Sequence, residues 1–177
     1  MTAINFSACW DFTAQQEGGY SNDQNDPGNW TGGAKGVGIF KGTNHGISAA
    51  AYPDLDIANL ALDAAGIIAR RDYWNRIGGD ALPVGVDLMV FDFAFNAGVR
   101  ASARILQQTV GAMPDGLIGQ ATLHAVNLID ATTLISILDA AHEHFYDTMR
   151  DAALFSKPLD GRSARARERA LAMLAGR

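Results

Sequence analysis

Glu17 is the first side chain whose position in the sequence suggests chemistry, because it follows Trp10 by seven residues and Phe6 by eleven. On a helix these offsets place its carboxyl group within about 20° of both aromatic side chains. Desolvation against apolar neighbours and the negative end of the helix dipole would both favour the protonated form. The pattern is typical of a general acid that keeps its proton near neutral pH. A glutamate that turns to solvent at a frayed helix end fits the same spacing.

Two further carboxylates, Asp23 and Asp26, follow in the next loop. Asp26 lies in Asn-Asp-Pro-Gly, a turn-forming tetrapeptide that would hold the carboxylate in a fixed direction. Glycoside hydrolysis needs one protonated carboxyl for the leaving oxygen and one ionised carboxylate that stabilises positive charge or activates water. The alternative for both residues is an Asx turn, in which the carboxylate accepts a hydrogen bond from its own backbone.

The elements that must position these groups begin with a short amphipathic helix. Apolar and small residues recur at helical spacing from Phe6 to Thr13, which predicts a helix over 4–17 that ends at the Gly-Gly pair. Nine of the 19 glycines then lie between Gly18 and Gly46. This composition predicts a long irregular segment, with strand signal only over 37–40.

The rest of the chain has helical periodicity. A helix is predicted over 59–74 with Leu62, Ala65 and Ala69 inward, and Pro83 is placed at the start of another that runs to Ala97. The latter is apolar nearly all round, which is typical of a core helix. Asp115-Gly116 is predicted as a turn and Asp130 as an N-cap. The remaining helices are predicted over 101–110, 120–127, 131–151 and 162–175. The fold class is mainly α with a small glycine-rich β/loop element.

Length and composition predict one compact domain of 177 residues, with an N-terminal lobe over 1–80, a helical lobe over 81–177 and a cleft between them. With 48% hydrophobic and 19% charged residues, intrinsic disorder is excluded. The single cysteine, Cys9, excludes an intramolecular disulfide. The first ten residues lack the features of a signal peptide, so we expect synthesis in the cytoplasm. The net charge of −5 disfavours nucleic acid as a partner.

No metal or cofactor is predicted. His142 and His144 lie about 200° apart on a helix and cannot clasp one ion, so both are assigned to a solvated face. Asp23-x-Asn25 begins like a calcium loop, but Pro27 occupies the third ligand position. Cys9 lies in mid-helix on the apolar side, which favours core packing over a nucleophile.

Six segments together resemble glycoside hydrolase family 108, the lysozyme-like muramidases of phage endolysins and bacterial secretion activators. The first three are Glu-Gly-Gly-Tyr-Ser-Asn-Asp over 17–23, Asn-Asp-Pro-Gly over 25–28 and Gly-Thr-Asn-His-Gly-Ile-Ser over 42–48. The others are Phe-Asp-Phe-Ala-Phe-Asn-Ala-Gly over 91–98, Leu-Gln over 106–107 and Asp-Gly-Leu-Ile-Gly-Gln-Ala-Thr over 115–122. The last three are similar to the peptidoglycan-binding-like region of that family, although a turn and close helix packing would explain the segments after Leu106 as well.

The resemblance implies a lysozyme-like fold, Glu17 as the catalytic acid and Asp26 as its ionised partner. A threonine that orients water is also implied, but this chain inserts residues 29–42 before the matching segment, so Thr31 and Thr43 compete for that role. The motif match favours Thr43. The predicted substrate-binding residues are Tyr20, Asp23, Asn96, Tyr73 and Trp74. For Asn96 a bond to neighbouring backbone is an equal alternative, and for the last two aromatic residues core packing is the alternative.

The implied activity is cleavage of the β-1,4 bond between N-acetylmuramic acid and N-acetylglucosamine by a monomeric endolysin. It would act on glycan strands of the cell wall after holin-type or secretion-linked release. A lytic transglycosylase and a silent wall-binding or secretion-accessory module are the alternatives. Residues 161–177 hold five Arg and one Glu. Their stripe of Arg162, Arg165 and Arg169 would contact the wall or an anionic membrane, or would simply be solvated.

Overall fold

The computed structural model describes residues 3–151 and 161–176, and in these ranges the fold is mainly α, as predicted. The described α-helices are α1 (Ala3–Glu17), α2 (Leu62–Ala69), α3 (Val86–Ala97), α4 (Val99–Thr109), α5 (Gln120–Asn127), α6 (Ala131–Asp151) and α7 (Arg162–Ala175). Two short antiparallel strands, β1 (Thr43–Asn44) and β2 (Ile47–Ser48), pair Thr43 with Ser48. No single described helix is long and apolar enough to cross a membrane; α5 with Ala131–Met149 passes that test only as a pair bent by 113°.

The chain divides into two compact units, which differ from the predicted lobes. The smaller unit is Thr13–Ala69, and the larger unit contains the other described residues. Residues 70–80 therefore belong with the helices and not with the N-terminal lobe. The reason is Trp74, which is fully buried and packs edge to face on Phe6 and Phe91 with ring centroids 5.4 and 5.5 Å away.

Helix α3 is the core of the larger unit, as its apolar sequence predicts. Every residue from Val86 to Phe95 is buried, and the helix packs against α4, α6 and α7. It begins at Val86 and not at Pro83, because Gly85 has a φ of +82° and its N–H donates to the buried Asp87 side chain. A Cβ at Gly85 would come within 2.8 Å of the Ala170 carbonyl oxygen, so a close approach of α7 requires this glycine.

The α-helix predicted over 59–74 is shorter than expected, and the chain continues after it as a π-helix. Helix α2 starts at Leu62, which is 45% exposed, so the inward position predicted for Leu62 is wrong; Ala65 and Ala69 are buried as predicted. After Ala69 the chain continues as a π-helix over Arg70–Trp74. The Trp74 ring packs so closely on Gly79 that a Cβ there would lie 2.4 Å away.

The strand predicted over 37–40 is absent from this part of the smaller unit, and β1 and β2 lie after it. Gly36 and Gly38 have φ values of +77° and +80°, conformations that interrupt an extended strand. Phe40 instead forms one isolated antiparallel bridge with Trp30, and their rings lie 5.1 Å apart.

Helix α7 docks through a different set of residues than the predicted arginine stripe implies. Arg162 is only 4% exposed and forms a bidentate ion pair with Asp92 on α3, at 2.9 Å from Nε and 2.8 Å from Nη2. Its assignment to a basic surface stripe is therefore wrong. Arg165 and Arg169 are exposed, and Ala166 and Ala170 form the buried face of the helix.

His142 is not on a solvated face, and that prediction is also wrong. Its ring is 3% exposed and stacks on Phe93 at 4.0 Å with an interplanar angle of 9°, whereas His144 is exposed as expected. Burial lowers the pKa of His142 from the ordinary value of 6.5 to about 3. The imidazole is therefore neutral in the folded protein at neutral pH.

Unfolding stability should depend on pH through His142. The unfolded chain binds a proton at this residue below pH 6.5, whereas the folded chain does not until about pH 3. Since the unfolded state then binds more protons, the free energy of unfolding falls as pH drops through that window, by up to about 1.4 kcal/mol per pH unit.

Urea titrations between about pH 4 and 7 measure this slope. His142→Phe keeps an aromatic ring on Phe93 but cannot titrate, so it should flatten the dependence. The matched control His144→Gln should leave it unchanged. Equal slopes in the wild type and His142→Phe would contradict the assignment.

Candidate active site

Glu17 is the last residue of α1 and is half-buried. The helix ends there because Gly18 adopts a φ of +72°, a conformation that favours glycine. Among the described residues other than the chain neighbours, no atom lies within 4 Å of where a Cβ would stand at Gly18 or Gly19. The segment that directly follows Glu17 therefore has open space beside it at Gly18 and Gly19.

Asp26 and Asp23 both form the Asx turns that the sequence left as their alternative. Oδ1 of the half-buried Asp26 accepts a hydrogen bond from the Gly28 N–H at 2.8 Å and caps the 3₁₀ turn Pro27–Asn29. Its Oδ2 has no hydrogen-bond partner among the described residues. Asp23 is exposed, and its Oδ1 accepts from the Asn25 N–H at 2.8 Å. The turn fixes the direction of Asp26 while leaving one of its oxygens available.

Asn29 links the Asp23 loop to Thr43 of β1, and the sequence pattern did not identify it as a candidate. The residue is fully buried, and its amide nitrogen donates to the Asp23 carbonyl oxygen at 2.9 Å. Its Oδ1 accepts from the Thr43 hydroxyl at 2.6 Å, and its backbone oxygen accepts from Lys41 and Gly42. No periodic pattern marks this position, because these four partners lie 6 to 14 residues away along the chain.

Thr43 and Thr31 occupy different environments. Thr43 exchanges two backbone hydrogen bonds with Ser21, at 2.8 and 3.0 Å, so β1 lies beside the segment that directly follows Glu17. The Thr31 hydroxyl instead accepts from the Ile39 N–H at 2.8 Å. A Cβ at Gly38 would stand 2.3 Å from that hydroxyl. Thr31 therefore closes the inserted loop, and Thr43 lies next to the predicted acid segment.

Of the predicted substrate-binding aromatic residues, Trp74 is corrected by the structure. It has no exposed surface, and its indole N–H donates to Asp80 at 2.9 Å, so it cannot stack on a sugar. Tyr73 is half-buried against Phe95, with ring centroids 4.7 Å apart. Tyr20 is 45% exposed, and its hydroxyl donates to the Lys41 carbonyl oxygen at 3.1 Å.

In the segments over 91–98, 106–107 and 115–122, the polar residues Asn96 and Gln107 form hydrogen bonds within the larger unit. The Asn96 amide donates to the Asp92 carbonyl oxygen one turn earlier, at 2.8 Å, which is the structural alternative for this residue. Gln107 is 1% exposed, donates to Asp115 at 2.7 Å and accepts from the Gly116 N–H at 2.9 Å. The bond from Gln107 lowers the pKa of Asp115. These contacts give the Leu-Gln and Asp-Gly pattern a structural explanation, because the buried Gln107 stabilises the turn at Asp115 and Gly116.

Cys9 lies in the core of the larger unit and is fully buried. Burial, with a smaller contribution from Asp87, raises the pKa of its thiol far above the ordinary range. A thiol in this state supplies little thiolate for nucleophilic attack. Among the described residues, no three His, Cys, Asp or Glu side chains lie together as metal ligands do.

Comparison with known proteins places these residues in a family context. The sequence matches the glycosyl hydrolase 108 family over residues 10–98, a range that contains Glu17, Asp26, Asn29 and both threonines. The solved structure of Brucella abortus SagA is similar, with 32% sequence identity over 97% of this chain and 96% of that chain and a TM-score of 0.80. No curated protein sequence matches significantly.

Proposed function

The chain belongs to the glycosyl hydrolase 108 family of lysozyme-like proteins and is a glycoside hydrolase of the kind that acts on peptidoglycan. We propose that it is an N-acetylmuramidase. It cleaves the β-1,4 bond between N-acetylmuramic acid and N-acetylglucosamine and serves as an endolysin that reaches the wall after release from the cytoplasm. The observation that carries the proposal is the placement of half-buried Glu17 at the end of α1, followed by the exposed glycines Gly18 and Gly19, with Thr43 paired to the same segment at Ser21.

Glu17 is the general acid in this proposal. Its carboxyl proton goes to the glycosidic oxygen as the bond to the anomeric carbon breaks, so the leaving sugar departs as an alcohol. Positive charge develops on the anomeric carbon and ring oxygen. A water molecule then supplies hydroxide to that carbon and a proton to the protein, which balances the reaction.

Asp26 is the ionised partner. Its Oδ1 is held by the Gly28 N–H, which fixes the carboxylate, and its Oδ2 stabilises the developing charge or takes the proton of the attacking water. Thr43 supports this step. Because the Thr43 proton is engaged by Asn29 Oδ1 at 2.6 Å, its oxygen is left as an acceptor that orients the water.

A lytic transglycosylase is the second candidate, and one observation favours it. The Asx turn at Asp26 explains this carboxylate without any catalytic role, and a transglycosylase does not need a second carboxylate. Such an enzyme would use Glu17 alone and leave a muramic acid end closed into an anhydro ring, without consuming water.

Mass spectrometry of peptidoglycan digested in oxygen-18 water separates the two chemistries. Hydrolysis at the proposed bond incorporates one labelled oxygen at a reducing-end muramic acid. Unlabelled anhydro-muramic ends would overturn the muramidase assignment in favour of transglycosylation. Labelled N-acetylglucosamine ends would show that the enzyme cleaves the other glycosidic bond.

The two threonines should differ sharply in an activity assay. Thr43→Val removes the hydroxyl that orients water and should lower the rate of peptidoglycan hydrolysis roughly a hundredfold, the size expected for one lost transition-state hydrogen bond. Thr31→Val is the matched control and should cost less than about threefold, because that hydroxyl bonds only within the inserted loop. The opposite ranking would place the inserted loop, and not β1, against the reacting bond.

A further inference from the structure

Ser48 is the last residue of the family-like segment over 42–48, and the reaction described above gives it no role. It lies on β2 directly opposite Thr43 on β1. The backbone N–H and carbonyl oxygen of Thr43 bond to Ser21 and not to Ser48, so Thr43 and Ser48 form a non-hydrogen-bonded pair. In such a pair the Cα atoms lie about 4.5 Å apart, and the two side chains share one face of the strands.

Ser48 also lies beside the turn that holds Asp26. A Cβ at Gly28 would stand 3.7 Å from the Ser48 Cβ and 3.1 Å from Oδ1 of Asp26. The Gly28 carbonyl oxygen also accepts a hydrogen bond from the N–H of Ala50, two residues after Ser48, at 3.0 Å. The half-buried Ser48 side chain is therefore next to Asp26 and Thr43, the two residues that the proposed reaction assigns to the attacking water.

The hydroxyl groups of Ser48 and Thr43 have complementary hydrogen-bonding capacity. Each has one proton to donate and two lone pairs that accept. The Thr43 hydroxyl donates its proton to Asn29, so its oxygen is left as an acceptor. The Ser48 oxygen accepts from the Ala51 N–H at 3.3 Å, and no group among the described residues accepts the Ser48 proton. This face therefore offers an acceptor at Thr43 and a donor at Ser48.

We propose that Ser48 is a further residue of the active site and that its hydroxyl donates a hydrogen bond to the attacking water. One proton of this water forms a hydrogen bond to Thr43 Oγ1, and the other is transferred to Oδ2 of Asp26 on attack. One lone pair accepts the Ser48 proton. The other forms the bond to the anomeric carbon, while the bond to the leaving oxygen breaks and Glu17 protonates that oxygen. The inference rests on the proposed function, because it names a group that orients the water of that reaction.

The alternative is a serine that only caps its own turn. The bond from the Ala51 N–H would then be the whole role of the side chain, as in other local serine turns. The two roles differ in what a substitution changes. Loss of a turn cap lowers stability, whereas loss of a group that binds the attacking water lowers kcat and is coupled to Thr43.

The test is a double-mutant cycle on the full chain, with kcat and KM measured for hydrolysis of soluble peptidoglycan fragments. Ser48→Ala should lower kcat about tenfold and change KM less than about twofold, as expected for one hydrogen bond made mainly in the transition state. Because both hydroxyls bind one water, Ser48→Ala should cost less than about threefold in the Thr43→Val background. Ser48→Thr keeps the hydroxyl and should retain kcat within about threefold of the wild type. The control Ser7→Ala removes an exposed hydroxyl from α1 and should change neither constant more than about twofold.

Two results would overturn the proposal and leave Ser48 as a turn cap. One is an equal loss of kcat from Ser48→Ala in both backgrounds, and the other is an unchanged kcat with a lower melting temperature. The cycle does not need Ser48→Thr, so it decides the matter even if that variant fails to fold. Anhydro ends from the wild type in the oxygen-18 experiment would overturn the proposed reaction and this role together. Labelled ends from the wild type, with an equal loss in both backgrounds, would contradict the role of Ser48 alone.

Discussion

The buried amide of Asn29 is the constraint on which the proposed site depends. A fully buried side-chain amide must satisfy its donors and acceptors, and Asn29 does so by donating to the Asp23 carbonyl oxygen and accepting from the Thr43 hydroxyl. The backbone carbonyl oxygen of Asn29 also accepts from the N–H groups of Lys41 and Gly42, which holds the end of the inserted loop. Together with the short β1–β2 pair, this network positions Asp26 and Thr43.

The six family-like segments form two groups, three over 17–48 and three over 91–122, and the two groups have different physical roles. In the first, Asp26 and Thr43 combine a structural hydrogen bond with an oxygen that can face a ligand. In the second, the polar residues form hydrogen bonds inside the larger unit. Asp92 binds the buried Arg162, and Gln107 accepts a hydrogen bond from the N–H of Gly116 in the turn. Breaking such a buried pair costs about 3–5 kcal/mol, so this group holds helices together. The chemistry is accordingly assigned to the first group.

Local patterns predicted much of this structure. The predicted ends of α5, α6 and α7 are confirmed, and the all-round apolar sequence of α3 correctly indicated a core helix. The errors occur where a distant partner decides the environment. His142 is buried because Phe93 stacks on it, and Arg162 is buried because Asp92 neutralises it. Such pairings over tens of residues leave no trace in helical spacing. The roles of Glu17, Asp26 and Thr43 stay predictions.

The proposed reaction depends on Glu17 as the proton donor, and the most direct test is the rate at which the Glu17→Gln variant lyses purified peptidoglycan. Glutamine keeps the size and the hydrogen-bonding shape of the side chain but has no transferable proton, so the rate should fall by several orders of magnitude. The melting temperature should move little, which would separate lost chemistry from lost folding. A Glu17→Gln protein that is folded and retains more than about a tenth of the wild-type rate would contradict the account, because a lost general acid costs at least about a hundredfold.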